Sequence, residues 1–315
     1  MSLLVDLRRW KESGTIDESQ HAALTALVRR DRFSVYSELT ALLYLGVVSV
    51  VAGLGWTIQV HFAQLGDVAI LVSLTAAFAG SLGYCFARGL SYSNALQEQP
   101  QFAFDYVLYF GCLVFGVELG FIEYRFHLLN DSWDHYLLLS SMLYFVLAYR
   151  FDNRFVLSLA LSTLAGWFGL RLMHFGWLTT MSLRPYALGY SALVLASGAA
   201  VHRAGIKRHF FETYLHVAVN VALAALVTGI FDRDAWPEYA AGLAALGAVT
   251  LLQGLKFERF AFVLYGIAYT YIGLSSALQR QFTFTMRQTM AYDVASGTAV
   301  VVLLIVLARR VRRES

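Results

Sequence analysis

Residues 67–87 read DVAILVSLTAAFAGSLGYCFA, and Arg88 follows. After Asp67, twenty residues pass without a charge. At about 1.5 Å per residue, a helix of that length covers about 30 Å, the thickness of a bilayer's hydrocarbon core. No water reaches that depth, so the backbone must satisfy its own hydrogen bonds. A helix does so within the segment. The stretch predicts a membrane-spanning helix with a charge at each end.

The pattern repeats in both directions. Apolar runs separated by short polar breaks give ten candidate spans, at about 38–58, 67–87, 102–122, 135–149, 154–174, 185–202, 212–231, 238–255, 259–279 and 290–308. The fourth and fifth are parted only by the segment holding Arg150, Asp152 and Arg154. The expected fold is all-α: a polytopic transmembrane bundle over residues 35–308, a cytoplasmic helical hairpin over 1–34 and a basic tail over 309–315.

Composition agrees. Of 315 residues, 58% are hydrophobic and 14% charged, against about 25% charged in soluble proteins. This excludes a soluble enzyme, a disordered chain, a nucleic-acid binder and a disulfide scaffold. Cys85 and Cys112 both fall inside apolar runs and are expected to be buried thiols.

Basic residues orient the bundle. With ten spans and a cytoplasmic N-terminus, the cytoplasmic side holds 18 of the 24 Lys and Arg residues. The other side holds Arg125, Arg171, Arg184, Arg233, Arg280 and Arg287. That bias is the positive-inside pattern, and it places both termini in the cytoplasm.

An acid recurs near the cytoplasmic start of the outgoing spans: Glu38, Asp105, Asp152, Glu212 and Glu258. All but Glu38 follow a phenylalanine, which suggests a helical hairpin used five times. Carboxylates at helix N-termini meet the positive end of the helix dipole.

In the polar head, Leu3 to Ser13 reads as an amphipathic helix with Gly14 as its C-cap. Thr15-Ile16-Asp17-Glu18 fits a capping box, and a second helix is expected from about Asp17 to Arg30.

The head also carries a resemblance. Leu7-Arg8-Arg9-Trp10, Gly14-Thr15-Ile16, Gln20, Leu24, Tyr36-Ser37-Glu38-Leu39 and the glycines Gly46, Gly53 and Gly55 before Trp56 resemble the bacterial predicted membrane proteins of domain of unknown function 2157. The resemblance spans roughly residues 5–57 and implies a bacterial inner-membrane protein. It implies no activity, and no functional residue is transferred.

Ionisable groups inside a membrane are expensive, about 2.5–3.5 kcal/mol each on insertion scales, so each asks for a partner or water. Glu118 lies 16 residues into its span and Arg171 17 residues into its own, and Asp293 enters from the same outer side. Their common depth makes them candidates to line an outward cavity, or to tie three helices together. Glu212, His216 and Asn220 recur every four residues, which puts them on one helix face. They form either an ion path or an interhelical polar seam. In the outer loop, Glu123, His127, Asp134 and His135, with Asp131, are candidate zinc ligands. Gly116 and Gly120, and Ala76 and Gly80, allow close helix approach.

GxSxG, GxGxxG and a Walker loop are absent, so no catalytic residue or cofactor is expected. Three functions remain, in this order. The first is a small-solute or lipid carrier or channel. The second is a scaffold or sensor whose head docks a cytoplasmic protein. The third is an enzyme acting on a lipid-linked substrate at the outer face. The one partner common to all three is the lipid bilayer.

Overall fold

A computed structural model describes residues 10–11, 13–21, 36–97, 103–128, 133–174, 183–232, 235–282 and 285–314. The chain divides into two compact units, Met1–Leu65 and Gly66–Ser315.

In the first unit, the described part of the head is a helix end, a turn and a helix start. Gly14 takes φ +69°, and the amides of Gly14 and Thr15 close onto the carbonyls of Lys11 (3.1 Å) and Trp10 (2.9 Å). Glycine reaches that left-handed conformation without strain, so Gly14 ends the helix as expected. The capping box lies two residues later than Thr15–Glu18. The Gln20 amide donates to Asp17 Oδ1 at 2.7 Å, and the Asp17 amide donates to Gln20 Oε1 at 3.0 Å. Asp17 is the N-cap, and Thr15 bonds Ser13 instead. Most of both expected head helices lies outside the described residues. Helix α1, Tyr36–Leu65, contains the apolar run Leu42–Ile58.

The second unit holds nine long helices among its described residues: α2 (Asp67–Arg88), α3 (Phe104–Phe126), α4 (Trp133–Phe151), α5 (Arg154–His174), α6 (Leu183–Arg203), α7 (Phe211–Gly229), α8 (Trp236–Lys256), α9 (Phe260–Gln281) and α10 (Met286–Glu314). With α1, these ten helices fall on the ten apolar stretches of the sequence. Seven are long and apolar enough to cross a membrane: α2, α3, α5, α7 with its leading 3-10 turn, α8, α9 and α10. In α4 and α6 the apolar content is diluted by Asp134, His135, Ser140, Ser141, Arg184 and several other polar residues.

Consecutive helices pair as antiparallel hairpins, α2 with α3, α4 with α5, α6 with α7, and α8 with α9. Each hairpin turns at the end rich in Lys and Arg, here called the basic end. The second members touch in sequence, α3 with α5, α5 with α7 and α7 with α9. The acid pattern suggested a hairpin used five times, each opening on its acid; the structure instead pairs four among its described residues, and the acids lie at the turns inside them or just after.

The main core lies where α2 to α7 meet. Cys85, Leu108, Cys112, Leu157 and Phe210 are fully buried there, and both cysteines are free thiols. A second core of Leu223, Leu226, Ile230 and Leu243 joins α7 to α8. A Cβ on Gly111 would stand 2.8 Å from Ser81 Cβ, so α2 and α3 approach closely there. Gly116 faces the Tyr144 hydroxyl, whereas Gly120 and Gly80 face open space. Helix α10 packs chiefly on α9, and no residue of its apolar window is fully buried within the protein.

Candidate functional site

Glu118, Arg171 and Asp293 belong to three separate helix pairs. Buried Glu118 of α3 accepts a hydrogen bond from Thr75 Oγ1 of α2. Arg171 of α5 reaches Asp134 of α4 at 3.2 Å. Asp293 of α10 accepts from the Gln279 amide of α9 at 2.6 Å. The expected meeting of the three is therefore corrected. Equal depth fixes height in the bilayer but not the direction a side chain leaves its helix, and these three leave toward different neighbours.

The outer-loop residues also separate. Glu123 is fully buried and accepts from the Tyr136 hydroxyl at 2.8 Å. His127 sits just past α3 at φ +48°, and its amide closes onto the Glu123 carbonyl at 2.9 Å. That left-handed residue ends the helical spacing on which a shared face with Glu123 depended. Asp134 is buried between Arg171 and His135, whose Nδ1 is 3.4 Å away. Among the described residues, no three His, Cys, Asp or Glu side chains group as metal ligands. Asp131 lies outside the described residues.

Glu212, His216 and Asn220 do share a face of α7, and that face meets α9. Glu212 receives Arg154 and Arg259, each at 3.4 Å. The His216 ring stacks on Phe262 with centroids 4.5 Å apart, edge-on to Tyr265. Asn220 accepts from the Tyr269 hydroxyl at 3.1 Å and donates to the His216 carbonyl at 2.8 Å. Through these contacts the stripe faces α9 and, at Glu212, also meets Arg154 of α5.

One cluster of buried charge, around Asp152, was not anticipated as a cluster from the sequence. At the basic end, the Asp152 carboxylate, 1% exposed, receives Lys207 Nζ at 3.3 Å, the His209 ring and the Gln97 amide at 2.8 Å. Lys207 is wholly buried, lies over the Tyr92 ring at 5.0 Å and donates to the Ser93 carbonyl at 2.8 Å. The hub ties the turn between α4 and α5, the turn between α6 and α7, and the segment 89–97. Only the acid of the Phe-acid pattern pointed toward it, since Lys207 is 55 residues away along the chain.

That acid pattern splits in two. Asp105 and Glu212 occupy first turns, as expected. Asp152 and Glu258 do not, since they take φ +59° and +56° in tight turns before α5 and α9. In each turn the next amide reaches back, Asn153 to the Ala148 carbonyl (3.1 Å) and Arg259 to the Gly254 carbonyl (2.8 Å). This is the Schellman helix ending. The residues after the turns then bind neighbouring acids, Asn153 to Asp105 (2.9 Å), and Arg154 and Arg259 to Glu212. One polar chain therefore links the starts of α3, α5, α7 and α9.

A cavity of about 600 Å³ opens between α8, α9 and α10. Ala244, Gly247, Ala248 and Gly266 hollow its wall, and Leu274 and Leu278 line it further on. Thr270 Oγ1 in that wall has no hydrogen-bond partner among the described residues. One edge is a ladder between α9 and α10: Tyr271 to Ser296 (2.9 Å), Ser275 to Tyr292 (3.0 Å) and Gln279 to Asp293. The spacing of four along α9 puts all three rungs on one face.

The family model described as Predicted membrane protein (DUF2157) matches residues 8–157. The resemblance of the head is thus shown, and it extends through α1 to α4 and into α5. Asp152 falls inside the matched part, whereas the cavity falls outside it. No curated protein and no solved structure matches the chain.

Proposed function

We propose that this multi-pass membrane protein is a lipid carrier of a bacterial inner membrane, with both termini cytoplasmic, which takes a lipid tail sideways into the groove between α8, α9 and α10. The observation that carries this reading is the lateral, mainly apolar cavity of about 600 Å³. A hollow at hydrocarbon depth beside a helix with no fully buried residue in its apolar window meets acyl chains before any other solute. Water entering it would find few partners, which disfavours a hydrated path there. Along α9 the groove runs from Gly266 to Leu278, about 18 Å at 1.5 Å per residue, comparable to an acyl tail.

The ladder to α10 suits a movable wall. Interhelical polar contacts in membranes are worth about 0.6 kcal/mol each, so its rungs hold α10 in register without locking it. Asp293 contributes to this edge through Gln279. Glu118, Arg171 and the Glu212–Asn220 stripe spend their bonds inside the bundle and serve here as its frame.

The test is photo-crosslinking in reconstituted vesicles with a phospholipid bearing a photoreactive tail, followed by peptide mapping. Label should concentrate on peptides of α8, α9 and α10. Ala248→Trp, at an exposed wall position, should remove most of it. Even labelling of all lipid-facing helices, unchanged by Ala248→Trp, would refute the reading.

A further inference from the structure

A second, smaller cavity lies where the end of α7 meets the start of α8 and the end of α9, opposite the basic end. It measures about 170 Å³ and is lined by Ile230, Trp236, Ala277, Arg280 and Gln281. We infer that this pocket is a binding site for a phosphate group. Its polar side chains are a guanidinium, an indole and a primary amide. All three donate hydrogen bonds, and among the described residues no carboxylate lines the pocket. The acid of the same first turn, Glu238, is exposed and outside the lining.

Arg280 gives the site its charge. Three other arginines at this end have carboxylate partners: Arg125 pairs with Asp67 (2.6 Å), Arg171 with Asp134 and Arg184 with Asp232 (2.6 Å). Among the described residues, no carboxylate pairs with Arg280. Its Nη1 instead donates to the Ile230 carbonyl, and its guanidinium stands 5.9 Å from the Phe231 ring centre. The side chain is thus held by one N–H and one face, leaving further donors of a rigid fork for a ligand. A planar fork matches a tetrahedral oxyanion through paired hydrogen bonds. Trp236 opens α8, so the positive end of that helix's dipole adds to the same field.

A phosphate could reach the pocket as a lipid headgroup or as the free ion. The headgroup source rests on the lipid-carrier reading, whereas the site itself stands on different residues from the groove. The test uses the full-length protein. Native mass spectrometry from nanodiscs compares retention of phosphatidate and phosphatidylcholine, and calorimetry in detergent titrates inorganic phosphate.

The wild type should retain phosphatidate in preference to phosphatidylcholine. Arg280→Gln should weaken that preference about tenfold, with Arg280→Lys in between, since lysine keeps the charge and loses the fork. If Arg280→Gln does not fold, Trp236→Phe and Gln281→Ala leave the Arg280 anchor in place, and together they should weaken binding about threefold. Inorganic phosphate binding that depends on Arg280, without any phosphatidate preference, keeps the site and assigns it to the free ion. Loss of binding in Arg280→Gln with none in Ala248→Trp keeps the site and sinks the groove. Retention and phosphate binding unchanged in all the pocket variants overturn the inference.

Discussion

Lys207 Nζ lies 3.3 Å from the Asp152 carboxylate, and both side chains are shut away from solvent. Each residue also holds a left-handed backbone, at φ +39° and +59°. Non-glycine residues adopt that conformation at a penalty, so the surrounding contacts must over-determine it. They do so through Gln97, Ser93, His209 and Tyr92.

Lys207→Met should destabilise the bundle by about 3–5 kcal/mol, because it leaves a buried carboxylate without its cation. Asp152→Asn combined with Lys207→Met should recover part of that loss. Chemical denaturation in mild detergent reads both. Proteolysis within residues 89–97 should speed up in Lys207→Met. An unchanged midpoint in the single variant would remove the hub from any account of stability.

The bridge through Glu212 behaves differently. Arg154 and Arg259 are 43% and 44% exposed and Glu212 is 35% exposed, so water screens the pair. Glu212→Gln should lower stability by less than about 1 kcal/mol, and added salt should erase the difference. A loss as large as that of Lys207→Met would contradict the exposure argument.

Helix contact at glycine can be tested by contrast. A Cβ on Gly266 would come within 2.8 Å of the Gly247 carbonyl oxygen and 2.9 Å of the Leu251 amide, both backbone atoms that cannot rotate away. Gly266→Ala should cost about 1–3 kcal/mol. Gly80 faces open space mid-helix, so Gly80→Ala should be neutral or slightly stabilising, as alanine's helix propensity predicts. Thermal melts of the two proteins side by side decide it; equal shifts would argue against the tight α8–α9 approach.

The head helix should respond to acid at Asp17. The Ser19 hydroxyl and then the Gln20 amide hold its carboxyl below the usual range. A depressed folded value means that the cap contributes fully above the ordinary carboxylate pKa of about 3.9 and is lost as pH falls through the folded value. Amide exchange at Gln20 and His21, corrected for intrinsic rates, should therefore quicken below that range. Asp17→Ala should quicken it at neutral pH, and Thr15→Ala should not. The reverse order would restore Thr15 as the cap.

Much of the architecture was legible because its cause is local. The uncharged run Val68–Ala87 can only satisfy its backbone in a membrane as a helix, and the other apolar stretches obey the same rule. Gly14 was readable as a helix end because glycine alone reaches its φ freely. The cap was misplaced by two residues because Thr15 and Asp17 both suit an N-cap, and only the partner Gln20 separates them. Asp152 and Glu258 looked like helix-start acids because a sequence does not reveal which residue of a tight turn goes left-handed.

The sequence by itself determined what short-range physics dictates: where the helices lie, though not how far α1 and α10 run beyond their apolar stretches, the bundle class, the buried thiols and the shared face of Glu212, His216 and Asn220. Spacing along one helix fixes a face, and hydrophobicity over twenty residues fixes a span. Only the tertiary structure decided which faces meet. It sent Glu118 to Thr75, Arg171 to Asp134 and Asp293 to Gln279, joined Lys207 to Asp152, and left hollows beside Ala248 and Arg280. Those outcomes depend on how helices rotate and approach one another, which is set by packing summed over many weak contacts. No single stretch of sequence carries that sum.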